Sequence, residues 1–135
     1  MTDTDLQLVD WQLFARTRAQ LGANFTRVLG YFSEDGAKAI ARIEAAMRDN
    51  DAAPMVLPAH TLKTEARQFG GEALGALAEE IEMFARDCVE ARESPADYVD
   101  RVVKLRPMFD RMLGEIDAET NPLLRRKPVF GRRTV

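Results

Sequence analysis

Histidine and cysteine each occur once in this chain of 135 residues, as His60 and Cys88. That scarcity removes whole classes of site. A single cysteine cannot close an internal disulfide and fits a reducing compartment, and one imidazole with one thiol cannot supply the usual protein ligands of a zinc ion. No stretch approaches the ~20 uninterrupted apolar residues of a membrane-spanning helix. The opening MTDTDLQLVD is acidic and lacks the apolar core of a signal peptide, so a cytoplasmic location is expected. There is no GxxxxGK[ST] motif, and Gly70-Gly71-Glu72-Ala73-Leu74-Gly75 has no lysine after it, so it reads as a helix junction rather than a nucleotide cradle. No segment alternates apolar and polar residues at strand period, and neither an internal repeat nor a low-complexity run is found. A net charge of −3 argues against nucleic-acid binding, although Leu124-Arg125-Arg126-Lys127 and Arg132-Arg133 make the end of the chain basic.

What is present is one domain's worth of helix-forming sequence, 46% hydrophobic and 30% charged. Residues 1–9 are expected to be flexible. Asp10 suits an N-cap for a helix through Trp11, Leu13, Phe14 and Arg18, ended near Gly22. Phe25, Val28, Leu29 and Phe32 give a second amphipathic helix, and Ser33 offers a cap for a third carrying Ala37, Ile40, Ile43, Ala46 and Met47 up to Asn50-Asp51. A central helix is expected from about Ala52 to Phe69, with Pro58 either kinking it or starting it. Gly70-Gly71 supplies a stop.

Leu74, Leu77, Ile81, Phe84 and Cys88 then share one face of a helix ending near Glu93, which makes Cys88 a buried small hydrophobe. Ser94-Pro95 reads as a cap and first-turn proline. The helix it opens carries Tyr98, Val102, Leu105, Phe109, Met112 and Ile116, with Pro107 kinking or breaking it. The resulting expectation is an all-α fold: an up-down antiparallel four-helix bundle over residues 10–120, with one or two additional short N-terminal helices and a disordered basic tail over 121–135.

The only histidine stands on the polar side of the central helix. At about 100° per residue, Lys63, Thr64 and Arg67 fall within roughly 60° of His60, while Leu62, Ala66 and Phe69 lie on the opposite, core-facing side. An imidazole with two fixed cations one and two turns on suits a phosphate better than a core.

Residues 59–71, AHTLKTEARQFGG, resemble the signature of histidine-containing phosphotransfer (HPt) domains, which runs approximately Ala-His-x-Leu-Lys-Gly, then small residues, a hydrophobic residue and Gly. His60, Leu62, Lys63, Phe69 and Gly70 match it, and Leu77 with Ile81-Glu82 resembles the family's next helix. The resemblance implies a helical bundle that relays phosphoryl groups between receiver domains of a hybrid histidine kinase and of a response regulator. His60 would be the phosphoacceptor and Lys63 its electrostatic partner, while Glu82 lies where relatives often place a polar residue beside the histidine. Read from its own helix alone, Glu82 is expected to be exposed. Thr64 stands where the family has glycine and Arg67 where the residue is usually small. Threonine there either crowds a docking receiver or donates to the phosphoryl oxygens, and Arg67 adds a second cation.

The chemistry fits these residues. A neutral imidazole offers a ring nitrogen as nucleophile, and transfer from an aspartyl phosphate is mainly alignment and charge stabilisation. Lys63, Thr64, Arg67, Gln68 and Glu82 are therefore the expected phosphoryl-stabilising or docking residues around His60. No cofactor is expected in this chain, Mg²⁺ being the receiver's. The chain is expected to be a monomeric phosphocarrier without ATP-dependent kinase activity. The rival reading is a helical interaction module that docks receiver or kinase domains without accepting phosphate. The basic tail is either solvated disorder or an adaptor for an acidic partner.

Overall fold

The computed structural model describes residues 7–121 and 123, and every regular element among them is helical. Helix α1 (Trp11–Leu21) starts at Asp10, whose Oδ1 accepts from the amides of Gln12 and Leu13, and ends at Gly22. A 3₁₀ turn over Gly22–Asn24 leads into α2 (Phe25–Arg48). Two helices were expected here, meeting at Ser33. One forms instead, because the apolar stripe Phe25, Phe32, Ala39, Ile43, Ala46 stays in helical phase across that serine. Asn50 then takes a left-handed conformation and closes the helix, as the Asn50-Asp51 terminator predicts.

Helix α3 (Ala53–Gln68) is continuous through Pro58, which therefore does not start it. The missing amide hydrogen of Pro58 falls opposite the carbonyl of Pro54 in the first turn, so only one bond at the start of the helix is forgone. Helix α4 (Glu72–Ala91) follows after three residues. Ser94 does cap, accepting from the Ala96 amide at 3.0 Å, but it opens only a 3₁₀ turn, Ala96–Tyr98, and the short α5 (Val99–Val102). The chain breaks at Val103-Lys104 before α6 (Leu105–Thr120). Pro107 thus acts one turn upstream of itself: it cannot donate to the Val103 carbonyl, and starting α6 at Leu105 puts the proline in a first turn, where no donor is needed.

The long helices α2, α3, α4 and α6 form the bundle, α2 lying against α3 and α6, and α4 against the same two. Connectors of a few residues make α2, α3 and α4 successively antiparallel. Of the one or two extra N-terminal helices expected, α1 is present; the other short helix, α5, lies between α4 and α6. No helix among the described residues is long and apolar enough to cross a membrane. Of the basic tail expected over residues 121–135, residues 122 and 124–135 lie outside the described residues.

Phe69, at the end of α3, ties the core to α1. Its ring stacks on Phe32 at 5.4 Å and meets Phe25 at 6.2 Å and Phe14 at 6.4 Å. Each such pair contributes about 0.5–1.5 kcal/mol beyond area burial. The expectation of a flexible start is corrected for the described part of it: Leu8 and Val9 are buried, and the Asp10 amide donates to the Gly70 carbonyl at 2.9 Å. Two adjacent apolar side chains that plug an open bundle end are stabilised by about 1.5–3 kcal/mol each, enough to order a terminus.

Gly70 makes this docking geometrically possible. Its φ is +84°, and a Cβ there would lie 2.7 Å from the Asp10 carbonyl oxygen. The Gly71 amide bonds the Ala66 carbonyl and the Gly70 amide that of Arg67, the paired closure of a Schellman cap. The glycine therefore ends α3, turns the chain into α4 and leaves room for the incoming N-terminal segment.

Candidate functional site

The tight turn sets which α4 residues face which α3 residues. Because the two helices run antiparallel from it, partners are symmetric about Gly71: His60 faces Glu82, and Arg67 faces Gly75. The result is a cluster that no single helix contains.

Glu82 is its centre. Its side chain is 4% exposed, against 49% for His60, which corrects the expectation of an exposed glutamate. The α4 wheel places it beside the Ile81 stripe, and the neighbouring α3 covers it. Its Oε2 lies 3.1 Å from His60 Nδ1 and accepts from Arg86 Nε at 3.0 Å and Nη2 at 2.8 Å. Its Oε1 forms an ion pair with Lys63 Nζ at 2.9 Å, with angles off those of a well-aligned hydrogen bond. Burial opposes ionisation of this carboxyl, but Lys63, Arg86 and His60 outweigh it and hold its pKa down at about 2. Glu82 is thus an anion that can only accept, so the contact with a neutral His60 requires the proton on Nδ1. Nε2 is then left with its lone pair, on a ring that is half exposed.

The model of the family described as Hpt domain matches residues 27–119, from the first turn of α2 to the last turn of α6. The chain belongs to the Hpt domain family. No curated protein and no solved structure matches it. Hpt domains carry out histidine phosphotransfer in phosphorelays, interact there with receiver domains, and are phosphocarriers rather than kinases. Helix α1 lies outside the matched span and packs on the Hpt bundle through Thr17, whose buried hydroxyl donates to the Gln68 carbonyl at 2.7 Å.

Within this Hpt domain the remaining expected site residues separate. Lys63 joins the cluster. Thr64 is exposed one turn from His60, and its hydroxyl donates back to the His60 carbonyl at 3.2 Å. Arg67 is turned away from His60. Its guanidinium bonds both carboxylate oxygens of Glu72, at 3.2 and 3.1 Å, and reaches Glu79 at 2.9 Å. Its stem lies across Gly75, where a Cβ would come within 2.7 Å of Arg67 Cγ. The second cation expected beside the phosphate is thereby compensated by two carboxylates, and Arg67 acts as a staple across the α3–α4 turn. Gln68 is exposed at the end of α3 and contributes its carbonyl to Thr17.

Arg86 went unnoticed in the sequence. The available signal was weak but real: it is four residues after Glu82, so the two share a helix face. Recognising it required knowing that Glu82 faces His60.

Proposed function

We propose that this Hpt domain relays phosphoryl groups between aspartyl-phosphate receiver domains, with His60 Nε2 as the acceptor. The observation that carries the reading is the buried, ionised Glu82 carboxylate 3.1 Å from Nδ1, which selects the tautomer with a free lone pair on the exposed side of the ring. In the forward step that lone pair attacks the phosphorus of the receiver's aspartyl phosphate. The N–P bond forms as the P–O bond to the aspartyl carboxyl breaks, and the carboxylate leaves with the electron pair. No proton has to move, because Nδ1 already carries the only N–H of the neutral ring. Onward transfer is the reverse with a second receiver's carboxylate.

Lys63, beside the ring, supplies positive charge towards the incoming phosphoryl group. Mg²⁺ belongs to the receiver, and the chain acts in the cytoplasm as a monomer that needs no ATP site of its own. Thr64, with its hydroxyl directed to the His60 carbonyl, presents the rest of its side chain to the approaching partner.

The test is incubation with a phosphorylated receiver domain and Mg²⁺, comparing the native chain with His60→Gln. Acid-labile label on the native chain alone is the expected outcome. No label from any of several receivers, with binding retained, would leave the docking-module reading in its place.

A further inference from the structure

We infer that Arg86 is the phosphoryl clamp of this site, its guanidinium donating to the oxygens of a phosphoryl group carried on His60. The inference rests on His60 being the acceptor and adds a residue to it.

Three cations lie along this face, and the structure distinguishes them. Arg67 has a carboxylate oxygen as partner on each of its three guanidinium nitrogens, two from Glu72 and one from Glu79. Lys63 is 19% exposed and directed at Glu82 Oε1. Arg86 is 52% exposed, and it shares a single acceptor atom with the imidazole: both His60 Nδ1 and Arg86 Nη2 bond Glu82 Oε2, so they lie within about 6 Å of one another. Those bonds occupy two of the five guanidinium N–H groups, one on Nε and one on Nη2, leaving three for another acceptor.

Planar, forked donors suit phosphoryl oxygens, which can be bound by two parallel charge-assisted bonds. The local charge balance favours the same assignment. With Glu82 ionised and His60 neutral, Lys63 and Arg86 leave the cluster one positive charge in excess, on the Nδ1 side of the imidazole whose Nε2 would receive a dianion. Glu82 thus has two tasks on one oxygen: it orients the imidazole and parks the guanidinium beside it. When the phosphoryl group arrives, Arg86 needs only side-chain rotation at an exposed position to reach it.

The experiment measures transfer from a phosphorylated receiver domain to the native chain and to Arg86→Gln and Arg86→Lys, with phosphoramidate labelling of the native chain as the receiver-independent check that His60 accepts. Expected is a fall of about tenfold in kcat for Arg86→Gln, a smaller change in KM, a shorter phosphohistidine lifetime, and partial recovery in Arg86→Lys. Imidazole ¹⁵N shifts should show the same Nδ1–H tautomer in all three proteins. Native-like kinetics and lifetime in Arg86→Gln, while the native chain is labelled, would overturn the clamp alone. A changed tautomer in Arg86→Gln that accounts for the loss would also overturn it, assigning Arg86 to the support of Glu82. A native chain labelled by neither donor would remove the acceptor reading, and the clamp with it.

Discussion

Replacing Glu82 by Gln should flatten a defined part of the acid sensitivity of this bundle. The folded carboxyl is held at about 2, against an ordinary value of 4.5, by Lys63, Arg86 and His60 acting against burial. A depression of that size corresponds to about 3 kcal/mol of linked stability. The sign follows from which state takes the proton first. Above pH 5 both states are ionised and the contribution is complete. As pH falls through 4.5 the unfolded chain binds a proton that the folded chain refuses, so stability drains away until the folded carboxyl itself is protonated near pH 2.

Other carboxylates share in the acid response; Glu80, for one, is also lowered, by Arg101 and Tyr98. The quantity to measure is therefore the difference between native and Glu82→Gln unfolding free energies, from urea titrations followed by far-UV circular dichroism at constant ionic strength between pH 7 and pH 2. That difference should shrink by about 3 kcal/mol across the window, with most of the change between pH 4.5 and pH 2.5. A difference that stays flat with pH would refute the argument, because it would mean that the three donors do not hold Glu82 ionised.

Other perturbations test the frame around the site. Gly70→Ala places a side chain at φ +84° and 2.7 Å from the Asp10 carbonyl; it should cost about 1–3 kcal/mol and release the Leu8-Val9 segment, read as lost amide protection at Asp10. Phe69→Ala removes the ring that joins Phe14, Phe25 and Phe32 and should cost about 3–5 kcal/mol in urea unfolding. Thr64→Gly deletes a side chain exposed beside His60; it should lower helix stability by under about 1 kcal/mol while raising the rate of transfer from receivers, and an unchanged rate would show that Thr64 does not impede docking.

Much of this molecule was legible in one dimension. The spacing of Leu62, Ala66 and Phe69 against His60 and Lys63 sorts α3 into a buried and a polar face, and the structure keeps that sorting. Asp10, Asn50-Asp51 and Gly70 mark helix ends because capping is local chemistry, settled within a few residues. Errors arose where a local signal competed with a longer pattern. Ser33 resembles a cap, but the stripe through it continues, and burial of that stripe outweighs one serine hydroxyl. Leu8 and Val9 looked like a loose terminus because the backbone bond that anchors their segment, from Asp10 to Gly70, spans sixty residues.

Composition and periodicity were sufficient for an all-helical bundle with one histidine presented on a polar face, since helix phase and end chemistry depend on near neighbours. The roles of Glu82, Arg67 and Arg86 depended on the register of α3 against α4. That register buries Glu82 beneath His60, turns Arg67 towards Glu72 and Glu79, and sets Arg86 beside the imidazole. A carboxylate's neighbours across a helix pair are fixed by how the glycine turn and the core bring two surfaces together, and only packing of the whole bundle decides that.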